Sequence, residues 1–155
     1  GIIYAEIPDE VKKKSVWAAV SVSSFQEALS FYNKVDYPYE FAIICNSQGN
    51  AFTKYPDALH TDNFEKALSW YREALDVQEA ATLPLERTLT LLNYLQASWF
   101  ARNTPGFDEE RYADMWQKAQ EILLLSHDPV VIQSAQEHLD RLEALRAAEK
   151  LVKEN

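Results

Sequence analysis

Few side chains in this chain could carry out chemistry: three histidines, His60, His127 and His138, and one cysteine, Cys45. His60 stands between Asp57 and Asp62 in the stretch from Lys54 to Asn63, an imidazole among carboxylates that could hold a divalent metal. The stretch lacks a repeated ligand spacing such as HxxxH, which argues against a built metal site. His127 precedes Asp128-Pro129, a helix-start pair, and reads as a helix-end residue. His138 follows helical periodicity beside Leu139 and reads as partly buried or at the surface. Cys45 lies among Ile43, Ile44 and Phe52, where a thiol acts as a small buried hydrophobe rather than a nucleophile. No Ser–His–Asp signature, P-loop or glycine-rich phosphate cradle is present. We therefore expect no catalytic residue, no metal ligand and no cofactor. The alternative is an all-α enzyme or metal-binding domain centred on the 54–63 loop.

The amides suggest a different chemistry. Asn46, Ser47 and Asn50 interrupt an otherwise apolar segment, and Asn93 and Gln96 do the same in a later one. An amide is a poor core residue unless each of its polar groups finds a partner. These residues therefore either bond to neighbouring turns or face a groove. A spacing of three or four residues places each pair along one line of a helix. Trp99 and Phe100 close the second segment and fit either core or groove. The candidate peptide-binding set is Asn46, Asn50, Asn93, Gln96 and Trp99.

These residues must be positioned by helices. The chain has 155 residues, 47% of them hydrophobic and 25% charged, enough to bury a core in a globular domain. Only 3 glycines are present, while runs of Ala, Leu, Glu, Gln and Lys favour helix. No apolar run approaches the roughly 18 residues that a membrane span needs. The opening GIIYAEIP lacks the basic start of a signal peptide, and Gly1 stands where an initiator Met would. A lone cysteine fits a reducing compartment. The net charge of −9 disfavours nucleic acid, because phosphate binding needs a basic patch. The densest basic run, Lys12-Lys13-Lys14, follows Asp9 and Glu10 and reads as a solvated helix face.

The chain also repeats itself. FQEALSFY (residues 25–32) and FEKALSWY (residues 64–71) share Phe, Ala, Leu, Ser and Tyr in register. In each copy the shared Phe, Ala, Leu and Tyr fall at i, i+3, i+4 and i+7, one apolar helical stripe. A fainter third copy carries Tyr112, Met115, Trp116 and Ala119. Ala28 and Ala67 are small positions within the stripes, where a neighbouring helix can approach closely. The segments between these helices also match: residues 37–52 and 83–98 both run apolar–Pro–apolar–Glu before an apolar stretch. Pro38 and Pro84 suit a first helical turn, and Glu40 and Glu86 suit the positive end of the helix dipole. Ser24 with Glu27 and Asp62 with Glu65 have capping-box spacing, and Asp108 is a third cap. Asp128-Pro129 should open a long terminal helix to about Val152, with Val131, Ala135, Leu139, Leu142 and Leu145 facing inward. Two helix types alternating at a period of roughly 20–50 residues indicate a helical repeat array.

The FxxAL-x-aromatic-Tyr pattern and NSQGNAF (residues 46–52) resemble the tetratricopeptide repeat, TPR, and in particular a long-period bacterial variant. The resemblance covers residues 24–125, with departures at Gln48, Leu95 and Ser98. It implies an all-α fold of about seven helices, a TPR-like right-handed superhelix of helical hairpins with a C-terminal capping helix. The division expected is an N-terminal segment or degenerate first helix at 1–23, repeats at 24–125 and a capping helix at 126–155. The resemblance further implies that A helices line a concave face where amides such as Asn46, Asn50, Asn93 and Gln96 hydrogen-bond an extended peptide. The positions aligned with the family's carboxylate-binding clamp hold Asn46, Leu89 and Asn93, so that clamp is not expected. The expected function is a non-catalytic protein–protein interaction module, part of a larger bacterial signalling or scaffold protein in the cytoplasm. Its partner would be a neutral or basic protein or peptide segment, not nucleic acid or membrane. A homo-oligomerising structural array is a third reading.

Overall fold

A computed structural model describes residues 9–55, 62–101 and 108–154. These residues form six helices and no strand: α1 (Asp9–Phe31), α2 (Pro38–Thr53), α3 (Asn63–Val77), α4 (Pro84–Ser98), α5 (Glu109–Leu125) and α6 (Pro129–Glu154). The all-α expectation holds. No helix among the described residues is long and apolar enough to cross a membrane. The chain divides into two compact units, Gly1–Val77 and Gln78–Asn155.

Local sequence explains where most helices begin. Pro38 and Pro84 occupy the first turns of α2 and α4, with Glu40 and Glu86 beside them. The α1–α2 connection is an Asx turn, in which Asn33 Oδ1 accepts from the amides of Val35 and Asp36 at 3.0 and 2.8 Å. Asp62 Oδ1 accepts from the Glu65 amide at 3.0 Å before α3, and Asp108 Oδ1 from the Arg111 amide at 3.2 Å before α5. Asp128 Oδ1 accepts from the Val130 amide at 2.9 Å and caps α6. Each of these bonds satisfies an amide that the first helical turn leaves without an internal partner.

The cap expected at Ser24 does not form. Ser24 lies inside α1, a single helix of 23 residues that runs through the expected boundary at 23/24. No Gly or Pro interrupts this stretch, and Ala18 and Val22 are buried along it. Interior serines are tolerated because their hydroxyls can bond within the helix, as Ser30 Oγ does to Glu27 O at 2.6 Å. The first FxxAL copy is therefore the C-terminal part of a longer helix.

In the first unit α2 packs against both α1 and α3. Ala42, Cys45 and Ala74 form a buried cluster flanked by Leu29, Phe41, Trp70 and Val77. Asn50 meets Tyr71, and Lys66 lies over the Phe52 ring, so rising numbers on α2 meet falling numbers on α3. The pair is antiparallel. The two helices approach closely at Gly49, where an added Cβ would lie 2.4 Å from Tyr71 Cε1. Ala67 is fully buried on the same helix as Tyr71, as its small size predicts, whereas Ala28 on α1 is only half-buried. Gln48, one of the departures from the TPR pattern, is fully buried. Its Nε2 donates to Val22 O at 3.4 Å, and its Oε1 has no partner among the described residues.

In the second unit α5 packs against α4 and α6. Leu91, Tyr94 and Leu95 of α4, Met115, Ala119 and Ile122 of α5, and Ala135, Leu139 and Leu142 of α6 supply its buried apolar residues. Arg87 Nε donates to Glu121 Oε2 at 2.8 Å, and Tyr94 Oη donates to Asp114 Oδ2 at 2.5 Å. These contacts again run in opposite directions along the two helices. Arg87 also donates to Gln78 O at 2.7 Å and so ties down the segment leading into α4. The terminal helix follows the sequence reading, with Ala135, Leu139 and Leu142 buried and Val131 and Leu145 half-buried.

Candidate functional site

The five candidate residues fall into two sets on two units. Asn46 and Asn50 lie on α2; Asn93 and Gln96 lie on α4, and Trp99 is its C-terminal cap residue. On α2, Tyr39 (46% exposed) and Ile43 (42%) continue the line of Asn46 and Asn50 at helical spacing. On α4, Leu85 (66%) and Leu89 (48%) continue the line of Asn93 and Gln96 in the same way. Both lines therefore have an exposed apolar half followed by an amide half. Sequence reasoning found the amides but missed the apolar halves. The signal was the repeated apolar–Pro–apolar–Glu start, whose second apolar residue is Tyr39 in one segment and Leu85 in the other.

Burial separates the amides. Gln96 is exposed, whereas Asn46, Asn50 and Asn93 are half-buried. Asn50 Oδ1 accepts from Tyr71 Oη at 2.6 Å. Burial pushes the Tyr71 phenol well above its ordinary range, so it stays a neutral donor. This bond occupies the Asn50 acceptor and leaves its NH₂ group as the end a ligand would meet. Asn50 is thus an internal hydrogen-bonding residue as well as a candidate surface one.

Trp99 has a different setting. Its Nε1 donates to His138 Nδ1 at 3.0 Å, with the two ring planes within 13° of parallel. The Arg141 guanidinium lies over the indole, 4.0 Å from its centroid. Burial, then the charge of Arg141, lowers the His138 pKa from its ordinary 6.5, with Glu137 opposing. A neutral ring keeps Nδ1 available as acceptor for Trp99. Phe100, the other residue expected at core or groove, is exposed.

Beside Trp99 is a cavity of about 360 Å³, lined by residues that include Asp108, Arg111, Tyr112, Met115, Arg141 and Leu142. Arg111 Nη1 donates to Ala101 O at 2.6 Å. Asp108 is held by its capping bond to the Arg111 amide. No local pattern points directly to this cavity, because its walls come from three helices. The spacing of His138 and Arg141 on one face of α6 was its one local trace.

The remaining reactive groups fall as follows. Burial pushes the Cys45 thiol up to about 12, with the charge of Glu73 adding and Lys34 opposing. A buried thiol of that kind is inert as a nucleophile. Trp70 packs against the buried cluster of the first unit, and Trp116 stacks on Tyr112 at 5.7 Å. His127 is exposed just before α6. Asp57 and His60, and with them the proposed metal cluster of the 54–63 loop, lie outside the described residues. Among the described residues no group of three or more His, Cys, Asp or Glu could hold a metal ion. No protein-family model, curated protein or solved structure matches this chain.

Proposed function

We propose that this chain is a non-catalytic, TPR-like interaction module that binds extended protein or peptide segments on its A helices, α2 in the first unit and α4 in the second. The observation that carries this reading is the matched pair of surface lines, Tyr39–Ile43–Asn46–Asn50 and Leu85–Leu89–Asn93–Gln96. Large apolar side chains stand partly in water at corresponding positions of two related helices. An exposed apolar surface for side chains beside amides for backbone groups is what an extended peptide requires. In the superhelix that the resemblance implies, the A helices would line one concave face. The net charge of −9 favours a neutral or basic segment whose association weakens as salt rises.

The reading is tested with peptides selected from a random display library, followed by mapping of backbone amide shifts. Perturbations should concentrate on α2 and α4, and Leu89→Ser with Gln96→Ala should weaken binding without lowering the melting temperature. Selected peptides that perturb only other helices would refute it. Asn50→Ala is unsuitable as a pure binding variant, because it also strands the Tyr71 hydroxyl.

A further inference from the structure

We propose that the cavity beside Trp99 binds a small aromatic carboxylate, with its ring against the apolar wall and its carboxylate on Arg141. This site uses the C-terminal end of α4 together with α5 and α6, and none of the residues on the two exposed lines. It stands independently of the peptide-binding reading.

The volume of about 360 Å³ is near the lower end of the range for small-molecule sites, roughly 300–1,000 Å³. The composition is also that of such a site: an apolar wall with a few convergent polar groups. Met115 and Leu142 are buried side chains of the wall, and Tyr112 and Trp99 add aromatic surface. A flat ring fits this lining because aromatic faces and a polarisable thioether make favourable contacts with it.

The charge of the lining fixes the sign of the ligand. Arg111 and Arg141 bring two guanidiniums against the single carboxylate of Asp108. Asp108 is already committed to the α5 amino terminus through the Arg111 amide. Arg141 is exposed and lies over Trp99, 4.0 Å from the ring centroid, and the described residues offer it no carboxylate partner. A guanidinium stacked on an indole keeps its N–H edge for bidentate recognition of a carboxylate. The indole is itself locked by its bond to His138, so both the platform and the cation are in place before a ligand arrives. Preorganisation of this kind reduces the ordering cost of binding.

The test titrates the full chain with 2-naphthoate and, in parallel, with the neutral isostere 2-naphthamide. The readout is the indole N–H resonance of Trp99, assigned by its loss in Trp99→Phe. A saturable shift with naphthoate, at least about tenfold weaker with naphthamide and about tenfold weaker in Arg141→Gln, supports the proposal. Arg141 is exposed, so its replacement leaves the packing intact, and an unchanged melting temperature verifies this. The absence of a saturable shift overturns the proposal. Equal binding of acid and amide, or an unchanged affinity in Arg141→Gln, also overturns it.

Discussion

Gly49→Ala gives the sharpest test of the packing between α2 and α3. Seen from the helix alone the change should stabilise, since Ala exceeds Gly by about 0.8–1.0 kcal/mol in a helix interior. The tertiary contact opposes this. The new Cβ would stand 2.4, 2.7 and 2.8 Å from three ring atoms of Tyr71, too close for any real carbon contact. Those atoms belong to the body of a ring that is only 1% exposed. The far end of the ring is bonded to Asn50 Oδ1 at 2.6 Å, so the side chain cannot swing aside without losing that bond. Overpacking of this kind costs about 1–3 kcal/mol, and the hydrogen bond about 0.5–1.5 kcal/mol more if it breaks. Against the propensity gain, the net expectation is a destabilisation of about 1–3 kcal/mol. For a chain of this length that lowers the melting temperature by roughly 2–12 °C. Circular dichroism at 222 nm during thermal and urea unfolding measures it. Repeating the substitution in a Tyr71→Leu background removes the ring and should reverse the sign, so that Ala becomes stabilising. A neutral or stabilising Gly49→Ala in the parent chain would refute the argument.

Ala67→Leu should cost about 1–3 kcal/mol by overpacking a fully buried position, read by urea unfolding. Deletion after Ser126 removes α6 with buried Ala135, Leu139 and Leu142, and the exposed faces of its neighbours should lower melting and promote aggregation, seen by light scattering. Because the His138 pKa is lowered in the fold, its contribution to stability is present above the ordinary 6.5 and is lost as pH falls through the folded value. The drop in melting temperature on acidification should therefore be smaller in His138→Gln than in the parent. Cys45, with its thiol raised to about 12, should react with a thiol reagent at pH 8 only as fast as the first unit opens, so the rate should rise with sub-denaturing urea.

The sequence by itself determined the elements whose signals are local. Pro38, Pro84, Asp62, Asp108 and Asp128 mark helix starts because a cap or a first-turn proline acts within three or four residues. The apolar stripes identified which faces are buried, and Cys45, Ala67 and Leu142 are inside as their periodicity requires. Ser24 shows the limit of such signals, since a capping-box spacing marks a start only where the preceding backbone leaves the helix, and α1 does not. The fate of the amides was decided by tertiary contacts. One Asn–Tyr bond between helices turned Asn50 inward, while Gln96 stayed exposed in the matched line on α4. Gln48 was drawn into the interior by the approach of α1, whose Val22 carbonyl it meets. The setting of Trp99 required His138 and Arg141 to arrive from a helix about forty residues further along the chain. Pairings of that kind depend on how three helices close on one another, and no local propensity encodes them.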